Sequence, residues 1–352
     1  MKRTTIGKVK YRLNVALVTG ITVVCLAIYL VPFLFMIFTS LKTQGQISEL
    51  GAPIWPAQVP KFTYEGKELD VYTVVFPDGS KRDMAALKKA RTYTDFIDIT
   101  DNPQYTAENP YHWEGYYGSL RRPWKFSPTW ENYKIVWETI NYPRLLWNTM
   151  FYAIMTNVGV LLSCTLVAFG FSRFRFPGRD LLFILLISTM FLPGTVTLIP
   201  TYTFFQRIGW VGTWLPLIVP SFFANPYDAF LMRQYFLTLP RELDEAAMID
   251  GAGPLRILWS VVLPQSWAVI VAVTVFHIVW AWNDYFGPLI YLSTRRDLQP
   301  ISVAISTFNG IYGSKPYLIQ AASLMALILP VMLFFAAQRF FVQGIVITGV
   351  EK

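Results

Sequence analysis

The chain has 352 residues, of which 54% are hydrophobic and only 15% charged, and it carries a net charge of +8. Soluble domains average about 25% charged residues, so the composition speaks against two or three soluble domains, and its apolar content excludes disorder. The basic excess fits either nucleic acid or the cytoplasmic rim of a membrane protein.

A helix that crosses a bilayer needs roughly 20 predominantly apolar residues. Six charge-free windows have that character: Val15–Phe38, Met150–Phe171, Leu181–Gln206, Ile208–Tyr227, Ile257–Asn283 and Pro316–Gln338. Any one of them alone would pass for a buried core helix; six in one chain would not. The first is too long for a signal-peptide core and is followed by no small-residue cleavage site, so it reads as a retained anchor. Cys25 within it and Cys164 in the second have no partner spacing, which argues against a disulfide framework or a metal site.

Between the first and second windows lies Lys42–Arg144, with 13 basic and 13 acidic residues. Phe62–Tyr64 and Leu69–Phe76 read as short strands, punctuated by turns at Glu65-Gly66 and Pro77-Asp78-Gly79. Lys81–Arg91 reads as a helix with Met84, Leu87 and Lys88 in register. An Asp101-Asn102-Pro103 turn and a Tyr/Trp-rich stretch (Tyr105, Tyr111, Trp113, Tyr116, Tyr117, Trp124) follow. These aromatics suit a sugar- or partner-contacting surface, but the core of a small domain is the favoured account because aromatics dominate small cores. His112 has no visible ligand partner.

Further along, Pro193 and Pro200 interrupt the third window, and Pro216, Pro220 and Pro226 the fourth. A helix bundle tolerates them because neighbouring helices and Ser/Thr side chains satisfy the freed carbonyls. Asp228 stands near the end of the fourth window, five residues before Arg233, and reads as a solvated or paired acid. Trp210, Trp214, Trp280 and Trp282 fit an interfacial aromatic belt. His277, inside the fifth window, reads as a packed hydrogen-bonding residue. Asn283 and Asp284 close that window, and Asp284 either lines a path or gate or makes an interhelical hydrogen bond.

Lys and Arg in short loops set orientation. With six spans, 13 basic residues fall on the side of both termini: Lys2, Arg3, Lys8, Lys10 and Arg12; Arg173, Arg175 and Arg179; Arg233, Arg241 and Arg256; Arg339 and Lys352. Four short-loop basic residues, Arg207, Arg295, Arg296 and Lys315, fall on the other. Both termini are therefore expected in the cytoplasm. Because Lys42–Arg144 is neutral, the +8 is an orientation signal, and the case for nucleic acid falls away.

The loop between the fourth and fifth windows, Leu239–Gly253, reads as a short helix. Pro240 suits its first turn, Glu242, Asp244 and Glu245 favour the positive end of its dipole, and Gly251 is a natural stop. A second helical piece runs from Pro254 to Leu263-Pro264. Ala246 and Ala247 give the first helix a low-profile face. Residue types alone leave two readings open, a docking device for a partner or a connector covering the bundle's underside.

Glu245-Ala246-Ala247, Gly251, Val261 and Leu263-Pro264, spread over 20 residues, resemble the EAA loop of binding-protein-dependent ABC importer permeases. Phe38–Lys42, Trp130–Tyr133, Arg173–Arg179, Trp282–Leu289 and Phe341–Ile345 with Gly349 are similar to segments of its carbohydrate-uptake branch, the last to the tail of the maltose-type second permease subunit. The resemblance spans about 10–58 and 126–352; nothing carries over onto the insert. It implies an all-α membrane protein with the six transmembrane helices of the type I ABC importer permease fold, to which the strand, turn and helix signals of the residues themselves add a small extracytoplasmic α+β insert between helices 1 and 2. The implied division is a cytoplasmic segment with helix 1 (1–42), an extracytoplasmic loop (43–145) holding the insert (about 60–125), helices 2–6 (146–342) with the EAA loop (about 236–264), and a cytoplasmic tail (343–352). Implied partners are an ATP-binding subunit dimer, a second and different permease chain, an extracytoplasmic solute-binding protein, a sugar and the bilayer of a prokaryotic inner membrane. Glu245, Ala246, Ala247, Asp250, Gly251, Leu263 and Pro264 would couple to the ATPase, and the tail after Gly344 would also reach it. With no G-x-x-x-x-G-K-[ST] loop in the sequence, no cofactor is expected on this chain; ATP and Mg would belong to the partner. A secondary transporter, built on discontinuous helices and intramembrane acids, would need neither the EAA loop nor an ATPase.

Overall fold

The structure, a computed structural model, describes residues 5–100, 103–310 and 313–347. Lys2, Arg3, the Asp101-Asn102 turn and the tail from Gly349 lie outside the described residues, as do the side chains of Lys8, Lys10 and Arg339. The chain forms two compact units, Met1–Ile135 with Ser314–Ala321, and Val136–Gly313 with Ala322–Lys352.

The first unit opens with α1 (Thr5–Ser40) and the short α2 (Gln44–Ser48). Tyr11–Ser40 has a mean hydropathy of 2.7 and buries none of its most apolar stretch within the chain, as a helix facing lipid or another subunit would. Its end is stapled by residues far along the sequence. Asn132 Nδ2 donates to the carbonyls of Ser40 and Lys42 at 2.7 and 2.8 Å, and Tyr133 shares a 2.8 Å hydrogen bond with the Ser40 hydroxyl. The segments Phe38–Lys42 and Trp130–Tyr133 are thus one structural joint. Above it, β1 (Ala57–Gln58) pairs with β7 (Lys125–Phe126) and closes the neck of the insert.

Between those two strands lies an antiparallel sheet in the order β2 (Lys61–Tyr64), β3 (Lys67–Val75), β4 (Lys81–Lys89), β5 (Tyr93–Asp98), β6 (Tyr111–Glu114). Glu65 and Gly66, both at positive φ (49° and 76°), make the two-residue turn that suits a right-twisted hairpin. The insert is therefore a β domain, not the expected α+β one, and Lys81–Arg91 is not a helix. Met84, Leu87 and Lys88 carry helix propensity, but β4 lies between β3 and β5, with Tyr72 opposite Met84 and Phe96 opposite Ala86. Tertiary pairing overrides local preference here. A register shift between Ala86 and Lys88 leaves Leu87 unpaired. Tyr72, Val74, Met84, Ala86 and Phe96 form the buried core, with Tyr105, Tyr111, Trp113 and Tyr117 packed against it. The core account of those aromatics holds, while Tyr116 stays exposed. His112 pairs through Nδ1 with Asp95 at 2.7 Å.

The helix α3 (Glu131–Thr139) leads into the second unit, whose spine is α4 (Tyr142–Arg173). After it come α5 (Arg179–Ser188), α6 (Gly194–Arg207), α7 (Leu215–Ile218), α8 (Pro226–Thr238), α9 (Glu242–Ile249), α10 (Pro254–Ile257), α11 (Leu263–Gln265), α12 (Trp267–Asn283), α13 (Phe286–Tyr291), α14 (Ile301–Ala304) and α15 (Pro316–Ile347). One apolar cluster joins Val160, Cys164 and Phe169 of α4 to Met232 and Phe236 of α8 and Leu258, Val269 and Val273 on either side of α11. Gly159 lets the 3-10 turn at Val219–Phe222 lie close against α4: a Cβ there would sit 2.9 Å from the Phe222 ring and 3.0 Å from the Ser221 backbone.

Among the described residues, three helices are long and apolar enough to cross a membrane, Tyr11–Ser40, Tyr142–Arg173 and Pro316–Gln338. Two bent pairs raise the number to five, Arg179–Phe191 with Gly194–Arg207 (96°) and Pro254–Gln265 with Trp267–Asn283 (81°). Pro193 marks the first bend; Pro200 stays inside α6. The fourth window, Ile208–Tyr227, is not one helix. It holds α7, a 3-10 turn at Val219–Phe222 and an extended break before α8. Pro216, Pro220 and Pro226 remove three backbone donors from it, and Asn225 restarts the helix by capping the N–H groups of Tyr227 and Asp228 at 2.9 and 3.2 Å.

Candidate functional site

The loop after α8 takes the form its sequence implies. α9 begins at Glu242, two residues beyond Pro240, with Glu242, Asp244 and Glu245 in its first turn. It ends in a two-bond reversal. The Gly251 N–H donates to the Met248 carbonyl at 3.0 Å, and the Ala252 N–H to the Ala247 carbonyl at 2.9 Å. Gly251 sits at φ +81°, the left-handed conformation this cap requires. Ala247 and Ala252 face inward, against the cluster shared by α4, α8 and α12. The second piece, α10, continues through a π turn at Leu258–Val262 into α11, and the chain bends at Ser266 into α12. Pro264 lacks an N–H, and its ring crowds the carbonyl of Ser260 four residues back; a widened turn there relieves that crowding.

The anchor of α9 is an ion pair that sequence reasoning missed. Arg173, the last residue of α4, places Nε 2.9 Å from Asp244 Oδ2, and both side chains are nearly dry, 7% and 9% exposed. The Nε–H is not aimed at the carboxylate, and Oδ1 of Asp244 has no hydrogen-bond partner. The terminal guanidinium nitrogens donate instead to the Leu239 carbonyl at 3.3 and 3.4 Å. The contact is thus mainly coulombic, with Arg173 also clamping the chain just before α9. The only available signal was the charge pattern: one acid among three in the first turn, and an arginine in a distant loop.

The outer side of α9 is unsatisfied within this chain. Glu245, Ala246 and Asp250 are exposed, and so are the apolar Leu243, Met248 and Ile249, the last at 88%. A pocket of about 350 Å³ opens beside them, between Phe169 and Phe174 at the end of α4 and Glu245 and Met248 of α9. A connector that merely covered the bundle would turn Met248 and Ile249 inward. Leu263 is partly buried and Pro264 exposed, so both sit at the bend, away from α9's outer face.

The other candidates have structural partners. Asp284 caps the end of α12: its carboxylate accepts the Tyr152 hydroxyl at 2.7 Å and the Gly287 N–H at 3.2 Å, and its carbonyl accepts the Ser302 hydroxyl at 2.7 Å. Geometry thus gives it the interhelical hydrogen bond. Asn283 is exposed and donates to the Val279 carbonyl at 2.8 Å. Asp228 is neither solvated nor paired with Arg233. It is buried in the first turn of α8, while Arg233 donates to the Phe171 carbonyl at 3.3 Å. His277 is buried, its ring 5.4 Å from that of Trp280, but its Nε2 has no hydrogen-bond partner. Of the four expected belt tryptophans, Trp282 is buried and donates to the Ala326 carbonyl at 3.1 Å, while Trp210 and Trp214 stack on Phe205 and Tyr152. Trp280 is exposed. No group of three or more His, Cys, Asp or Glu able to hold a metal occurs among the described residues.

Residues 146–346 match the family described as binding-protein-dependent transport system inner membrane component. The chain belongs to this family. It is a permease component of a binding-protein-dependent ABC importer, a multi-pass membrane protein and not itself an enzyme. It is 34% identical over 222 residues to the osmoprotective compounds uptake permease protein GgtD of Synechocystis sp., covering 63% of this chain and 74% of that one. It is 33% identical over 211 residues to the sn-glycerol-3-phosphate transport system permease protein UgpE of Brucella melitensis, covering 59% and 74%. A crystal structure of a bacterial ABC transporter involved in the import of the acidic polysaccharide alginate superimposes with a TM-score of 0.63 at 18% identity, covering 97% of this chain and 99% of that one. That likeness places the permease in the helical fold of type I ABC importers.

Proposed function

We propose that this permease forms half of the translocation pathway of an ATP-driven importer for a sugar or oligosaccharide, and that α9 with the Gly251 turn docks into an ATP-binding subunit. The observation that carries the docking role is the outer face of α9, where Glu245, Asp250, Met248 and Ile249 are exposed on a helix anchored from behind by Arg173 and Asp244. On this reading Glu245 makes polar contacts with the ATPase, exposed Ala246 allows close approach, Ala247 seats the helix against the bundle from its inner side, Gly251 sets the turn, and Leu263 and Pro264 set the bend that passes movement into α12. ATP and Mg belong to the ATP-binding subunits. Both termini face the cytoplasm, a second permease chain completes the pathway, and the sheet insert faces the solute-binding protein outside. The sixth crossing is then assembled from α7, the following turn and α8. Asn283 and Asp284 lie at the outer end of α12, where a gate would be held.

Glu245→Arg in the reconstituted complex tests the docking role. The expected result is normal membrane insertion with uptake lost or uncoupled from ATP hydrolysis. Unchanged uptake and assembly would remove the role. A second reading keeps the importer and changes the solute, since relatives are named for osmoprotective compounds and sn-glycerol-3-phosphate. Thermal stabilisation of the cognate solute-binding protein across sugars, sugar phosphates and osmolytes decides between them.

A further inference from the structure

The loop that joins α4 to α5 forms a second, strongly basic pocket that the coupling role leaves unexplained. It measures about 550 Å³ and is lined by Arg175, Arg179 and Arg241 together with Phe176, Asp180 and Leu181. Asp180 is the one acid among these, and it is committed to Arg179 Nε at 2.9 Å. Arg175 and Arg241 make no ion pair among the described residues. Arg233 adds a further cation nearby, lying 4.0 Å over the ring of Phe183 on α5. Gly178, at φ +77°, starts α5 and supplies no side-chain cap, so the positive end of that helix also points toward this loop.

An open pocket holding two unpaired arginines repels further cations and is matched by a doubly bonded oxyanion, for which the planar guanidinium is shaped. The surroundings identify the carrier of that anion. Arg173 ends one membrane-crossing helix and Arg179 begins the next, a bent pair, so the loop between them lies at the membrane rim. Beyond the pocket, α5 turns Phe183 and Leu186 inward and leaves Leu181, Leu182, Ile184 and Leu185 exposed. A phosphate headgroup in the arginine pocket would lay its acyl chains along these side chains. A soluble phosphate would leave that apolar face bare. We propose that this pocket is a binding site for the phosphate headgroup of an anionic phospholipid of the cytoplasmic leaflet, with α5 as the bed for its chains. The leaflet assignment rests on the proposed orientation; the pocket itself does not. Arg241 lines both this pocket and the one beside Glu245, so a bound lipid would brace α9 at its start.

The test is native mass spectrometry of the full-length permease complex extracted from symmetric vesicles of phosphatidylcholine and phosphatidylglycerol in equal amounts. Wild type should retain phosphatidylglycerol in preference to phosphatidylcholine. Arg175→Gln/Arg179→Gln should lower that retention about tenfold or more, since each basic residue near an anionic surface contributes strongly. Arg175→Lys/Arg179→Lys should keep most of it and shows that the loop still folds. Equal retention of both lipids by wild type, or unchanged retention in the double Gln variant, would overturn the proposal. Displacement of the lipid by millimolar inorganic phosphate would assign the pocket to a soluble anion instead. If the Gln variant loses the ATP-binding subunit while lipid retention is unchanged, the loop is a protein contact and the lipid site is refuted. Because the vesicles are symmetric, the lipid readout is the same whichever way the chain is inserted. Sided labelling of a cysteine placed at Ser260 tests the orientation separately.

Discussion

Asp244→Ala removes the acid that holds α9 against the end of α4. It strands Arg173 in a site where both side chains are under 10% exposed. Breaking a buried pair by removing one partner costs roughly 3–5 kcal/mol. The lower end applies here, because Arg173 keeps its two donations to the Leu239 carbonyl and its Nε–H was never aimed at Asp244. At about 3 kcal/mol, the fraction of molecules with α9 detached rises by about two orders of magnitude. Hydrogen exchange of the α9 amides in the purified complex measures this directly, and those amides should lose most of their protection while those of α4 do not. Replacing both partners, as Arg173→Met/Asp244→Leu, removes the stranded charge and should recover most of the loss, leaving a deficit of about 1 kcal/mol. Two results would refute the reasoning: unchanged exchange in Asp244→Ala, or a double variant whose loss equals the sum of the two single ones. Uptake should follow the exchange data if α9 carries the ATP-driven movement, with Asp244→Ala hydrolysing ATP but importing poorly.

Gly251→Pro should disrupt the same loop by a different route. Proline cannot reach φ +81° and removes the N–H that donates to Met248, a combined cost of about 2–3 kcal/mol; uptake should fall, whereas Gly251→Asn, which tolerates that conformation, should keep most of it. Tyr152→Phe should cost about 1–3 kcal/mol by taking the 2.7 Å donor from Asp284. The drop in thermal midpoint in detergent should vanish in an Asp284→Ala background, which has no acceptor for the Tyr152 hydroxyl, and additive losses would show that the pair is not coupled. In the insert, burial of Asp70 raises its carboxyl pKa, but the Lys89 hydrogen bond and the charges of Lys89, Arg122 and Lys61 outweigh it and leave the pKa below the usual carboxylate value. A depressed carboxylate stabilises the fold above its unfolded pKa, about 3.9, and that contribution is lost as pH falls through the folded value. Asp70→Asn should therefore weaken the sheet at pH 7, by under about 1 kcal/mol for so exposed a pair. Followed by hydrogen exchange of the β3 and β4 amides in the full chain, the difference from wild type should shrink toward zero at the acid end; a constant difference across pH would sever the link to ionisation.

Hydropathy made α1, α4 and α15 legible because a bilayer demands length and apolarity and little else, and those are properties of a window of sequence. The fourth window, which is not a single helix, was less legible on the same reasoning. Pro216, Pro220 and Pro226 were visible, but where the chain resumes its helix depended on the Asn225 cap, a local signal that hydropathy does not weigh. The β4 strand was missed for the opposite reason. Its residues favour a helix in isolation, and only Tyr72 and Phe96, brought alongside by the rest of the sheet, make them a strand.

Around the α9 loop, what could be read was what a contiguous motif encodes: the acidic start of α9, the left-handed Gly251, and a break near Pro264. Neither the Arg173–Asp244 anchor nor the Tyr152–Asp284 bond could be, since each joins elements whose neighbourhood exists only once α4 has packed as the spine of its unit. Their positions suggest why such contacts matter in a permease. The anchor ties α9 to one end of α4, and the Tyr152–Asp284 bond ties the end of α12 to a point on the same helix. A force applied at α9 thus has two routes into α12: directly through the bend at Ser266, or through α4 to Asp284. Asp244→Ala removes the charged tie but leaves Ala247 and Ala252 packed against the cluster that includes α4, so it weakens the second route more than the first, and the uptake it loses sets a lower bound on the share of the drive that passes through α4.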